Sequence, residues 1–236
     1  MKDSSKKSQY SHANYKIMMR SSVNTKKKNI EFPEPYADEY LKRKDEIASR
    51  LNDFLNVPEQ DWFYEACYCI LTPQSKAIHA EIVVRKLMDE NFEIKEFDPL
   101  PLLRNPEHYI RFHNQKTTNL LLLKEQFPAI KAIILEFRTK PLKLRDILTD
   151  SIRGFGMKES AHFMRNIGIF GPTILDRHIL KHLFACGIQV AEHPPTNKAH
   201  YLNIEQAWLR YCKKVNIDME SMDLLFWSME TGFILK

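Results

Sequence analysis

The stretch "RGFGMKES", residues 153–160, decides the fold. The chain has only 6 glycines in 236 residues, yet Gly154 and Gly156 stand two apart, with Lys158 two further on. Before them, "LKLRDILTDSI" has helical spacing. After them, Met157, Ala161, Met164 and Ile167 form a stripe at i, i+4, i+7 and i+10, the pattern of one helix face. The reading is helix, tight glycine hairpin, helix. Glycine at both positions allows positive φ and the close approach of another molecule. The N–H groups of such a hairpin and of the helix start behind it suit a phosphate, and hold a nucleic-acid backbone without reading its sequence. The alternative is an ordinary helix–helix connection with glycine caps.

Outward from the hairpin, helical spacing runs through most of the chain from about residue 36, in segments such as "DWFYEACYCIL", "QSKAIHAEIVVRKLMDE" and "NQKTTNLLLLKEQF". Period-two alternation is nearly absent, and the prolines fall largely between segments, as breaks or helix starts should. The expected fold class is all-α, with roughly ten helices. Residues 1–30 are rich in Ser, Lys and Asn without apolar periodicity and read as a disordered basic arm; residues 31–236 read as the folded domain.

At 27.9 kDa with 44% hydrophobic residues the chain can build a substantial core. Its formal charge of +5 is unevenly placed. The arm holds eight Lys/Arg against one Asp, a net of +7, so the rest of the chain carries −2. A mildly acidic body excludes whole-surface electrostatic binding to nucleic acid and leaves local patches and the arm. Residues 143–182 form one such patch, with seven Lys/Arg against four Asp/Glu. Cys67, Cys69, Cys186 and Cys212 lack the spacing of a structural zinc or iron–sulfur site, and read as reduced structural thiols. His182 and Cys186, one helical turn apart, offer two ligands where catalytic zinc takes three, so neither a metal nor a cofactor is expected. No apolar run is long enough to cross a bilayer, which leads us to expect a soluble intracellular protein.

Lys158 opens the second helix of the motif, where unpaired N–H groups and the helix dipole disfavour an ammonium. A lysine there can serve as an amine nucleophile; otherwise it is a solvated or phosphate-binding lysine. Asp176 follows after the Gly171-Pro172 break, at the N-cap position of "RHILKHLF". Its ordinary role is capping, but a carboxylate beside an amine can also stabilise charge developing on a sugar ring and move protons.

"GFGMKES" followed by "LDRHIL" resembles the helix-hairpin-helix DNA glycosylase superfamily. "FYEACYCILTPQSKA", "YIRFHNQKT", "GMKESAHFMRNIG" and the ending "DLLFWSMETGFILK" narrow the resemblance to the second family of 8-oxoguanine DNA glycosylase/AP lyases, from about residue 60 to the end. The resemblance implies two helical lobes with a DNA cleft between them, the middle helices of about 74–176 forming one and the N- and C-terminal helices the other. It implies a monomer acting on double-stranded DNA that contains a damaged base. Lys158 is then the nucleophile, forming a Schiff base that β-elimination resolves into a nick, and Asp176 steers the amine. Gln74 fills the gap left by the flipped base, Phe112 and Trp227 sandwich that base, and the terminal Lys236 brings its carboxylate to the pocket. His162, His178 and Asp223 lie near these segments and can equally be structural.

Arg153 stands where the wider superfamily often has proline, and Pro73-Gln74 departs from the Ala-Asn style of several relatives. The cluster cysteines of endonuclease III relatives are absent. Two other readings share these residues. One is a glycosylase for an oxidised pyrimidine or alkylated purine; the other is a non-catalytic helix-hairpin-helix module with Lys158 on a phosphate.

Overall fold

Two hydrophobic clusters organise the chain in the computed structural model, which describes residues 32–188 and 193–234. The basic arm and Lys236 therefore lie outside the described residues. Among the described residues ten α-helices run in order: α1 Glu34–Leu55, α2 Trp62–Leu71, α3 Ala77–Asp89, α4 Leu100–Arg104, α5 His113–Phe137, α6 Pro141–Ser151, α7 Met157–Asn166, α8 Arg177–Ala185, α9 Lys198–Val215 and α10 Met219–Thr231. A single 3₁₀ turn, Pro106–His108, sits between α4 and α5, and no strand occurs among the described residues. The all-helical expectation holds.

The first cluster begins at Trp62 and ends at Ile169, drawing on α2 to α7. Helix α2, apolar around most of its circumference, buries nine of its ten residues. The second cluster joins Tyr36, Ile47 and Phe54 of α1 to the residues from Leu175 to Ile234. Helix α1 packs along α10, while α8 and α9 close on the same pair. Helix α7 serves both clusters: Phe163 and Met164 lie in the first, and Met157 packs against the second.

Helix α5 departs from the pattern of prolines between helices, because Pro128 lies inside its 25 residues. A proline in a helix interior costs about 3 kcal/mol. Phe127, Ile130 and Ile134 flank it and are at most 3% exposed, and each such burial stabilises by about 1.5–3 kcal/mol. Packing outweighs the break, and the helix continues.

Candidate active site

Helices α6 and α7 flank the hairpin of residues 152–156, where Phe155 N–H donates to Ile152 O at 3.0 Å. The two glycines differ. Gly154 has φ +97°, and a methyl group added there would lie 2.4 Å from Asn119 Nδ2 of α5, so both its backbone and its neighbour demand glycine. Gly156 has φ −113°, an extended conformation open to any residue. The expectation of positive φ at both positions is corrected: only Gly154 has it, and Gly156 instead begins α7 as its N-cap.

The Gly156 N–H also has a partner, donating to Glu159 Oε2 at 3.1 Å. The other oxygen of the same carboxylate holds Lys158 Nζ at 3.0 Å. Glu159 thus caps the helix in the manner of a capping-box residue at the third helical position and parks the lysine. Gly154 is exposed, and its N–H has no acceptor among the described residues.

A pocket of about 410 Å³ opens over this turn, lined by Met157, Lys158 and Glu159 on one side and by Leu175, Asn197 and Tyr201 on another. Asp176 follows Leu175 at the start of α8. Its Oδ1 accepts the N–H groups of His178 and Ile179, both at 2.9 Å, so its capping role is present in full. Asp176 Oδ2 has no hydrogen-bond partner among the described residues. The segment that delivers Asp176 is anchored deep in the molecule. Glu205 of α9 accepts from Thr173 N–H and Oγ1, both at 2.9 Å, and from Arg145 Nη1 of α6 at 2.5 Å. Tyr201 donates its hydroxyl to Thr173 O at 2.6 Å.

Gln74 and Phe112 share a backbone feature that sequence does not announce. Both are exposed, and both hold left-handed conformations, with φ +56° and +59°. The other two non-glycine residues of this kind among those described are Asn91 and Asn216, a type that tolerates the region, whereas glutamine and phenylalanine do so at a cost. Phe112 is 47% exposed with the Arg111 guanidinium 5.0 Å from its ring centre. Trp227 is half-buried on α10, and the His178 ring meets it edge-on at 5.1 Å. No ring contact joins Phe112 to Trp227 among the described residues.

The remaining candidates have protein partners. Asp223 is buried at 1% exposure and ion-paired with Arg165; burial pushes its carboxyl up, to about 7, against the pull of that arginine. His162 packs edge-on against Tyr68. His182 Nδ1 meets the Tyr36 hydroxyl at 3.0 Å, and its Nε2 lies 3.1 Å from Glu230 Oε1, so both ring nitrogens face protein groups. Lys181 and His178 also approach the Glu230 carboxylate, and together with His182 they hold it well below the usual carboxylate range, His178 most strongly. The four cysteines are free thiols, and burial raises all of them.

Sequence reading missed Lys116. It is 6% exposed in the first turn of α5, and its ammonium donates to Leu71 O and Pro73 O, each at 2.7 Å, and to Ser75 Oγ at 3.2 Å. Burial, aided by the nearby Lys158 charge, lowers it to about 8. The signal was its register: Lys116, Leu120, Leu123 and Phe127 fall at i, i+4, i+7 and i+11 on the buried face of α5, a stripe in which a lysine must find partners.

A glycine hairpin between two helices, with an amine at the start of the second in the lining of a pocket, and a capping aspartate next in sequence to another residue of that lining, defines a helix-hairpin-helix protein. The model of the 8-oxoguanine DNA glycosylase family matches residues 47–217, and the chain belongs to that family. A relative from Fusobacterium nucleatum named 8-oxoguanine DNA glycosylase/AP lyase is 35% identical over 210 residues, covering 84% of this chain and 94% of the relative. One of the same name from Methanocaldococcus jannaschii is 32% identical over 197 residues, covering 82% and 93%. A crystal structure of the M. jannaschii 8-oxoguanine glycosylase/lyase in complex with a 15mer DNA containing 8-oxoguanine superimposes with a TM-score of 0.73 at 27% identity, covering 84% of this chain and 98% of that one.

Proposed function

We propose that this protein excises 8-oxoguanine from duplex DNA and nicks the resulting abasic site, acting as a monomer in a DNA-containing compartment. The observation that carries the reading is Lys158, which stands at the start of α7 behind the Gly154 hairpin and lines a pocket together with Leu175, the residue before Asp176. The family supports the lesion, and this geometry supports the roles given to Lys158 and Asp176. No described helix is long and apolar enough to cross a membrane.

DNA phosphates meet the exposed hairpin at Gly154 and the α7 start at Gly156. The damaged nucleotide leaves the stack, because its C1′ is out of productive reach within the duplex. Gln74 enters the gap, and Phe112, Trp227 and the terminal Lys236 hold the base. Lys158 leaves Glu159, gives up a proton and attacks C1′ through its lone pair. The C1′–N9 bond breaks, and the base departs with the bonding electrons and takes up a proton. Asp176 Oδ2 stabilises the positive charge that develops on the sugar. The C1′–O4′ bond then breaks, O4′ keeps the bonding electrons and takes up a proton, Nζ having lost one, and an iminium remains between C1′ and Nζ. Removal of a C2′ proton then expels the 3′ phosphate, and the strand is cut.

Borohydride reduces the iminium and fixes enzyme to DNA. We expect a covalent adduct on an 8-oxoguanine duplex with the wild type and none with Lys158→Gln. An undiminished adduct in the variant sinks the mechanism, and salt-sensitive binding without any adduct leaves a DNA-binding module. Run on Phe112→Ala, Trp227→Ala and a chain lacking Lys236, the same assay tests base recognition: unchanged excision removes that residue from the pocket.

A further inference from the structure

Gln74 and Phe112 lie 38 positions apart in sequence, yet one side chain ties their turns together. Lys116 holds the carbonyls of Leu71 and Pro73, and Pro73 O belongs to the peptide that leads directly into Gln74. It also reaches Ser75 Oγ, on the far side of Gln74. Ser75 Oγ in turn accepts the backbone N–H of Arg111 at 3.1 Å, the residue before Phe112. The circuit closes through α5, because Lys116 N–H donates to Phe112 O at 3.0 Å. One turn further along the same helix, Asn119 packs against Gly154 of the hairpin.

We propose that Lys116 is a positioning residue: by pinning the turns of Gln74 and Phe112 to α5, it sets both side chains at a fixed distance from the hairpin that carries Lys158. This rests on the glycosylase reading above. An ammonium suits the task because it offers three donors from one compact head, matching two carbonyls and a hydroxyl. At 6% exposure and with all three donors engaged, it is sealed from a substrate and is not a second nucleophile. The strained backbones of two exposed side chains persist only where the surroundings over-determine them, and this hydrogen-bonded circuit is what does so. A wedge that must enter a duplex as a base leaves needs that rigidity, since misplacement by an ångström costs on the order of 100-fold in rate.

The test separates base extrusion from chemistry. Lys116→Met keeps the length of the side chain and removes its donors. We expect excision of 8-oxoguanine from duplex DNA to fall about 10- to 100-fold, with borohydride trapping on a single-stranded oligonucleotide carrying a ready-made abasic site close to wild type, since nothing there must be flipped. Lys116→Arg recovers part of the duplex activity. A folded Lys116→Met that excises from duplex like the wild type overturns the proposal, as does one that loses both activities equally. If Lys116→Met does not fold, Ser75→Ala decides: selective loss on duplex supports the circuit, and unchanged excision overturns it. A wild type without 8-oxoguanine excision defeats the functional reading instead, a distinct result from a variant matching an active wild type.

Discussion

Asp176 caps α8 and, in the proposed mechanism, also serves the sugar, and the two roles can be pulled apart. Its Oδ1 caps α8, while Oδ2 has no hydrogen-bond partner among the described residues. Asparagine is as good an N-cap as aspartate, whereas alanine in such positions costs about 0.5–2 kcal/mol. Asp176→Asn should therefore unfold at nearly the wild-type denaturant midpoint and still lose 8-oxoguanine excision, and Asp176→Ala should lose both. Excision surviving in Asp176→Asn would reduce the residue to a cap. The helix start at Lys158 and the cap at Asp176 were legible in sequence because both follow local rules. Lys116 was not, because its partners are backbone carbonyls 45 and 43 residues away. Every residue has a carbonyl, so no side-chain pattern marks the ones a lysine will find. The parked state of Lys158 on Glu159 was likewise hidden, since adjacent residues on a helix do not face each other by default.

At the scale of elements, the helices followed from apolar spacing, and the exception is informative. The pattern broke at Pro128, but α5 runs through it because buried residues on both sides hold the helix in place. What spacing cannot show is how elements are tied across the two clusters. Arg145 of α6 and Glu205 of α9, at 1% and 0% exposure, join the first helix of the hairpin motif to the segment that ends in Asp176. Removing one member of a buried pair leaves an uncompensated charge, worth about 3–5 kcal/mol. Glu205→Ala should cost that much by urea unfolding, because Arg145 and the Thr173 N–H lose their acceptor together. Replacing both charges, Arg145→Met with Glu205→Leu, should recover most of the stability, but excision should stay reduced because Thr173 is no longer held. A single variant no worse than an exposed substitution would show that the pair does not anchor this segment.

The whole molecule divides its labour by charge. The residues from 31 onward carry a net of −2, while residues 1–30 carry +7, so the overall field of the folded part does not favour DNA and the proposed contact falls to the local patch around the hairpin. Duplex affinity falls with salt as counterions return to phosphates, by a slope of about 0.9 per phosphate contact. Lys158, Asp176 and both hydrophobic clusters lie from residue 36 onward, so chain lacking residues 1–30 should keep the site. If the arm engages the backbone, its removal should weaken binding to undamaged duplex at low salt and flatten the logarithmic salt dependence by about 2 to 4 units, two to four contacts' worth. Single-turnover excision at saturating enzyme should be unchanged, because the chemical step uses none of those charges. Binding titrations from low to physiological salt read the first effect and a quench assay the second. An unaltered slope would mean that the arm's lysines touch no phosphate, and a slower single turnover that the arm reaches the site.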